Sequence, residues 1–335
     1  MSASTPTPEQ FFDLAFAFER TAALRAAVEL ELFTAIGEGA ATVDVLAKRC
    51  AASERGARIL CDFLTINGLL TKEGGRYRLT PVAATFLTKS SPAYLGGTLA
   101  FLASPEIMRN FDRLAETIRR GVPQDGNTVA GEEQALWVNF AKAMVPMMMP
   151  AAAGIADVLD VASAGPLRVL DIAAGHGIFG IVIAERNARA EVAAVDWPGV
   201  LDVAVENARK AGIENRYRRL PGDAFKVEYG DGYDLALITN FLHHFDAPTC
   251  TMLLRKVGRA LKPGGRVAIL EFVPNDDRVS PPIPAGFSLM MLAGTPAGDA
   301  YTLPELRSMA EDAGFDRISA HSLPTPQTVV VAARR

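Results

Sequence analysis

The chain of 335 residues is 49% hydrophobic and 21% charged, a globular composition at a length that exceeds one ordinary core, so two domains are expected. A net charge of -4 gives no general attraction to nucleic acid or to an anionic membrane, and no apolar run reaches the length of a span, since Pro146 and Pro150 cut the greasiest stretch, Met144–Ile155. Cys50, Cys61 and Cys250 are scattered and form no C-x-x-C pair, and the polar start Met1–Pro8 lacks the plan of a signal peptide, so a soluble, cytoplasmic protein is expected.

From Phe11 to Ile36 apolar residues recur at helical spacing (Phe11, Leu14, Phe18, Ala22, Val28, Leu32), predicting one long helix that Gly37 stops. Thr42 is placed to cap a second helix. Ser53 is placed to cap a third, with Ile59, Leu60, Phe63 and Leu64 inside it and Asn67-Gly68 as its stop. Leu69–Thr80 holds two short alternating runs around Glu73-Gly74-Gly75, which reads as a hairpin. Helices followed by a hairpin make a winged helix, an architecture that often binds DNA. Residues 1–95, however, contain ten Lys/Arg and ten Asp/Glu, and the third helix offers only Arg55 and Arg58 to read bases. The apolar first helix exceeds what so small a module covers alone, which favours burial against a second subunit. Dimerisation is the expectation; a DNA-binding regulator is the rival.

Ser91-Pro92 and Gly96-Gly97 loosen the chain before Leu99–Arg120, which reads as helix, and Gly121–Gly131 reads as a loop. Ala135–Met149 is helical and rich in Met. Its methionines suit deformable core, or the lining of a pocket for an aromatic substrate or a sulfonium, and Phe140 and Met144 stand four apart on one face.

After Gly165-Pro166 strand and helix alternate, predicting a parallel sheet. Strands are expected at Arg168–Ile172, Glu191–Val195, Arg216–Leu220, Asp234–Thr239 and Arg266–Phe272, the last entered through the turn Lys262-Pro-Gly-Gly265. Helices are expected at Ile178–Arg186, Val200–Ala211, about 248–261 and Leu303–Ala313. Two closing strands, Asp316–Leu323 and Gln327–Ala333, are near enough in sequence to pair antiparallel. The first strand runs into Gly175-His-Gly177-Ile-Phe-Gly180, formally the G-x-G-x-x-G of dinucleotide sites, so a nicotinamide oxidoreductase must be weighed. Ligands of such sheets sit at the carboxyl ends of the strands, and there this chain places Asp171, Asp196 and Asp223. A carboxylate after the first strand repels a pyrophosphate and suits an ammonium. Asp196 can accept from two ribose hydroxyls, and Asp223 with Phe225 can bond and flank an adenine. An adenosine bearing an amino acid and a positive centre describes S-adenosylmethionine.

With Phe140-Ala-Lys-Ala-Met144, Val169-Leu-Asp171, Asp196-Trp-Pro198, Gly222-Asp223, Leu242-His243, Leu261-Lys-Pro-Gly-Gly265 and Leu270-Glu-Phe272 in this order, the chain resembles the class I S-adenosylmethionine-dependent methyltransferases. Within them it is similar to the two-domain O-methyltransferases of small molecules, such as the plant caffeate, acetylserotonin and bacterial antibiotic-tailoring enzymes. The resemblance implies an α/β fold, a Rossmann-like seven-stranded sheet with an N-terminal, mainly α winged-helix dimerisation domain. It implies residues 1–95 as that domain, 96–165 as a helical connector contributing to the substrate pocket, and 166–335 as the catalytic domain. It further implies a homodimer, no metal, and methyl transfer to a hydroxyl of a small aromatic metabolite, leaving S-adenosylhomocysteine. Carried over by position, Asp171, Gly175 and Gly177 hold the methionine moiety, Asp196 the ribose, and Asp223 with Phe225 the adenine, with Trp197 and Ala224 as further cofactor-binding positions. Phe140, Met144 and Asn240 match positions near cofactor and substrate; His243 matches the general base and Glu271 the carboxylate that orients it. The chain departs from the family at Ala173 and Ala174, where glycine is usual, at His244-Phe245, where Asp-Trp is usual, and near Ala300, where a second Glu that orients the base is expected and the nearest acid is Asp299. Adjacent His244 leaves the base to be chosen between two histidines, and relatives that methylate carbon or nitrogen leave the acceptor atom open.

Overall fold

The computed structural model describes residues 7–123 and 134–335, and most of the loop expected at Gly121–Gly131 lies outside them. The chain forms two compact units, one ending at Ser104 and one beginning at Pro105.

In the first unit the expected long helix is three: α1 (Glu9–Ala15), α2 (Ala17–Glu29) and α3 (Leu32–Gly37). Phe16 leaves helical geometry (φ -98°, ψ 7°) and Glu31 takes the left-handed conformation (φ 54°), so the apolar period is continuous while the backbone is not. Then follow α4 (Val43–Arg49), α5 (Glu54–Ile66), β1 (Leu70–Glu73), β2 (Arg76–Leu79), α6 (Pro81–Phe86) and α7 (Leu99–Leu102). The Ser53 hydroxyl accepts the Gly56 N–H at 3.0 Å, capping α5 as expected, whereas Thr42 precedes α4 without such a bond. Gly74 and Gly75, both at positive φ, make the two-residue turn that pairs β1 antiparallel with β2. Leu32, Phe33, Leu46, Cys61, Leu64, Leu70 and Tyr77 form the core beneath this hairpin. No residue of α1 is buried, and Phe11, Leu14 and Phe18 are each more than 60% exposed.

The second unit begins with α8 (Pro105–Asp112) and α9 (Leu114–Arg120), so the expected helix Leu99–Arg120 is also interrupted, at Ser104-Pro105 and at Arg113. The Met-rich helix divides at Met144 into α10 (Gln134–Ala143) and α11 (Val145–Val158), with Pro146 in the first turn of the latter. The sheet elements follow in order: β3 (Leu167–Ile172), α12 (Ile178–Arg186), β4 (Ala190–Asp196), α13 (Pro198–Lys210), β5 (Tyr217–Pro221), β6 (Tyr233–Thr239), α14 (Ala247–Ala260) and β7 (Leu261–Glu271). An apolar helix not expected from the sequence, α15 (Pro282–Gly294), precedes α16 (Leu303–Asp312), β8 (Phe315–Ser322) and β9 (Thr328–Arg334).

Strand order is β5-β4-β3-β6-β7-β9-β8; the first five strands are parallel, and β9 runs antiparallel between β7 and β8. The expected turn at Lys262–Gly265 lies inside β7 as a bulge: Tyr233 faces Leu261 and Leu235 faces Arg266. Order reverses between β3 and β4 on one side and β6 on the other, and this crevice is where open α/β sheets bind ligands.

Candidate active site

At the carboxyl end of β3 the backbone turns through three left-handed residues, Ala173 (φ 53°), Gly175 (φ 57°) and Gly177 (φ 75°). Alanine adopts this conformation only at a cost of about 1–2 kcal/mol, so the turn departs from all-glycine at some expense of stability. Two glycines answer to packing. A Cβ on Gly177 would stand 2.6 Å from the Tyr217 hydroxyl, and one on Gly180 would stand 2.8 Å from Val192 Cγ1 and 2.9 Å from Asp171 Oδ2. Gly177 and Gly180 of the formal G-x-G-x-x-G thus answer to close seating of α12 on the sheet. Seven of the nine residues of α12 are buried, so the helix is apolar nearly all round.

Asp171 lies fully buried under this turn. Its Oδ2 accepts the Gly180 N–H at 3.2 Å, its Oδ1 has no partner, and burial pushes its carboxyl up to about 8. Asp196, at the end of β4, accepts from the Gly175 N–H (2.8 Å) and from the Trp197 N–H (2.7 Å); burial raises it to about 6. Asp223, after β5, accepts the Phe225 N–H at 2.8 Å and pairs with Lys226 at 3.2 Å. Phe225 packs against Phe245 and Phe241, with centroids at 4.9 and 6.2 Å, and buried Ala224 lends its carbonyl to Lys256. The three strand-end carboxylates thus line one edge of the sheet. The unpartnered buried oxygen of Asp171 lies beneath a turn bare of side chains at Gly175 and Gly177, which leaves that backbone open to a ligand.

Phe140 of α10 covers the turn: a Cβ on Gly175 would lie 3.6 Å from its ring. The ring stacks on His176 at 6.0 Å and meets Trp137 edge-on at 5.7 Å. His176 and Trp137 escaped the sequence reading. His176 Nδ1 accepts the Ile178 N–H, and burial lowers its pKa to about 4, so the ring stays neutral. Met144 is buried at the break between α10 and α11, one helical turn on from Phe140, whose carbonyl its N–H bonds at 2.9 Å. Asn240, also left-handed (φ 53°), accepts from Gln327 Nε2 at 2.8 Å and directs its amide nitrogen to Met148 Sδ at 3.6 Å, which ties the end of β6 to the approach to β9.

The chain then makes a 3₁₀ turn, Leu242–His244. Glu271, at the end of β7 and 1% exposed, holds this turn with one oxygen and a ring with the other. Its Oε1 accepts the N–H groups of Phe241 (3.0 Å), Leu242 (2.8 Å) and His243 (3.4 Å), and its Oε2 meets His243 Nδ1 at 2.5 Å. A carboxylate can only accept, so Nδ1 carries the hydrogen and Nε2 keeps its lone pair, the tautomer a base requires. His244 differs. Its Nδ1 is buried without a partner, its ring lies edge-on to Trp137 (5.6 Å) and His243 (4.2 Å), and burial, with the neighbouring His243, holds its pKa well below the ordinary histidine range. Phe287 of α15 closes on His243 edge-on at 4.8 Å. Asp299 does not reach this pair: its carboxylate bonds Arg278 at 3.1 Å and the Ala300 N–H at 2.8 Å. Among the described residues, no group of three or more His, Cys, Asp or Glu could hold a metal ion, and no helix is long and apolar enough to cross a membrane.

Residues 12–89 match the profile of the O-methyltransferase dimerisation domain, and residues 140–316 that of the O-methyltransferase domain. The chain is 30% identical to 3-hydroxy-5-methyl-1-naphthoate 3-O-methyltransferase of Streptomyces sahachiroi, over 95% of this chain and 92% of that protein. It is 28% identical to the tetracenomycin polyketide synthesis 8-O-methyl transferase of Streptomyces glaucescens, over 97% and 96%. A crystal structure from Nostoc punctiforme, described only as a candidate O-methyltransferase, superposes with a TM-score of 0.93 at 49% identity, over 99% of this chain and 100% of that one.

Proposed function

The chain belongs to the S-adenosylmethionine-dependent O-methyltransferase family, and from that premise we propose that it methylates a hydroxyl of a small aromatic metabolite with His243 as general base. The observation that carries this reading is the buried His243–Glu271 pair at the carboxyl edge of the sheet, 2.5 Å apart. S-adenosylmethionine, when bound, supplies a methyl group already activated by its sulfonium. The residues need only bind, align and take one proton. Asp171, Gly175 and Gly177 would hold the amino-acid end; Asp196 and Trp197 the ribose; Asp223, Ala224 and Phe225 the adenine; Phe140, Met144 and Asn240 would close the site around them. His243 Nε2 takes the proton of the acceptor hydroxyl as its oxygen attacks, and Glu271 stabilises the imidazolium that results. Holding reactants in line contributes about 7–11 kcal/mol, and a placed base typically a further ~10²–10⁴-fold. The aromatic rings of Phe287, Trp137 and His244 exclude water from the base.

We further take the working unit to be a homodimer formed through the N-terminal unit, since Phe11, Leu14 and Phe18 stand exposed there beside a match to a dimerisation domain. A cytoplasmic location accords with three buried free cysteines. Calorimetry with S-adenosylhomocysteine and NADH, followed by turnover of a panel of hydroxynaphthoates and other phenols with S-adenosylmethionine, tests the reading. Binding of the first ligand alone and an O-methylated product are expected. NADH binding without S-adenosylhomocysteine binding, or a methyl found on carbon, would overturn it.

A further inference from the structure

The turn that carries His243 is gripped from two sides. Glu271 holds its N–H groups and the ring; nothing in that contact limits movement of the carbonyl side. There the segment Thr295–Tyr301, between α15 and α16, closes on it. A Cβ on Gly298 would overlap the His243 carbonyl oxygen and stand 3.0 Å from the carbonyl carbon of His244. These neighbours are backbone and cannot rotate away, so only glycine permits the approach. The segment is itself fixed: Thr295 Oγ1 accepts the Gly298 N–H at 2.9 Å and donates to the Met291 carbonyl of α15 at 2.7 Å. At its far end the Tyr301 hydroxyl donates to the Phe245 carbonyl at 2.5 Å, one residue past the turn. The same α15 presents Phe287 to the His243 ring.

We propose that Thr295–Tyr301 is a positioning clamp for the general base, closed on the turn at Gly298 and latched at Tyr301. It takes the mechanical place of a second orienting acid, since Asp299 in the same segment turns to Arg278. The inference rests on the reading of His243 as base.

Gly298→Ala must push the turn off Glu271 or open the segment; a misplacement of about 1 Å costs on the order of 10²-fold in kcat. Tyr301→Phe loosens only the latch and lowers kcat about three- to tenfold. Neither change touches the cofactor turn, so calorimetric affinity for S-adenosylhomocysteine stays constant. Each variant is measured with the best phenol of the panel in the wild-type and His243→Ala backgrounds, and the His243 ring ¹⁵N shifts are followed over pH by NMR, His243→Ala assigning the signals. The clamp predicts that both variants move those shifts and lower kcat in the wild-type background, and change nothing once His243 is gone. Equal losses in both backgrounds, or unmoved ring shifts, would overturn it. If Gly298→Ala does not fold, Tyr301→Phe decides by the same criteria. Should His243→Ala itself leave turnover unchanged, the base reading falls, and the clamp stands or falls on the ring shifts alone.

Discussion

Replacing Glu271 by Gln alters one atom and puts two demands in conflict. In the native protein one carboxylate oxygen accepts three backbone N–H groups while the other accepts from His243 Nδ1. Glutamine has one acceptor and one donor end. With its oxygen toward the turn, its NH₂ faces Nδ1, which must then give up its hydrogen; the proton moves to Nε2 and the lone pair that would receive the hydroxyl proton is lost. With the amide reversed, the NH₂ confronts three N–H donors in a buried site, and an unsatisfied group of that kind costs about 1–3 kcal/mol. The first arrangement is therefore preferred, and its consequence is the wrong tautomer. The loss in kcat is bounded by the whole contribution of the base, ~10²–10⁴-fold, or about 2.7–5.5 kcal/mol at roughly 1.36 kcal/mol per decade. Single-turnover methyl transfer under saturating S-adenosylmethionine reads this directly, with S-adenosylhomocysteine affinity and melting temperature as controls. The double variant Glu271→Gln/His243→Ala is expected to be no slower than His243→Ala, because the carboxylate acts through the ring. A kcat for Glu271→Gln within about threefold of wild type would refute the reasoning, since retention of a working base there contradicts the tautomer argument.

Burial raises the Asp171 carboxyl to about 8, against about 4 in an unfolded chain, so the folded state holds its proton longer. The stability this confers is complete below pH ~4 and lost as pH rises toward 8, with Asp196, raised to about 6, adding to the lower part of the slope. Ligand-free protein should therefore melt lower at pH 9 than at pH 5, by the order of 5 °C, and Asp171→Asn should flatten the decline; an unchanged slope in the variant would count against the assignment. His244→Phe keeps a neutral ring of similar shape and should leave kcat within about threefold, whereas a loss as large as that of His243→Ala would transfer the base role to His244. In the first unit, Phe18→Glu places a charge on an exposed apolar surface, and light scattering should show a wild-type dimer become monomeric; a wild-type monomer would remove the basis of the dimer reading.

The strands, the β1–β2 hairpin and the Ser53 cap were legible because each depends on residues near in sequence: alternation, paired glycines, a hydroxyl three residues before a free N–H. Helix continuity was not. Apolar period reports which positions share an apolar face, and that period runs on through Phe16, Glu31, Arg113 and Met144 although the backbone breaks at each. Helix α15 escaped notice because it is apolar on all sides and opens with Pro282 and Pro284, so neither periodicity nor a polar cap marks it. At the site, carboxylates at strand ends could be read because a parallel sheet puts every such end on one edge. Trp137, His176, Phe287 and Gly298 could not, since the contacts that bring them to the site, with His244, Phe140 and the His243 turn, cross from one element to another and no local spacing encodes them.

Strand β9 is made after every strand it joins, yet it lies between two of them. Until residues 328–334 leave the ribosome, β7 has an open edge, β8 has no partner, and Gln327 cannot reach Asn240. A nascent chain thus carries the residues of the glycine turn and of His243 long before the sheet beneath them can close. Its two unsatisfied edges are available to chaperones or to one another in that interval. Synthesis order makes completion of the sheet a late event.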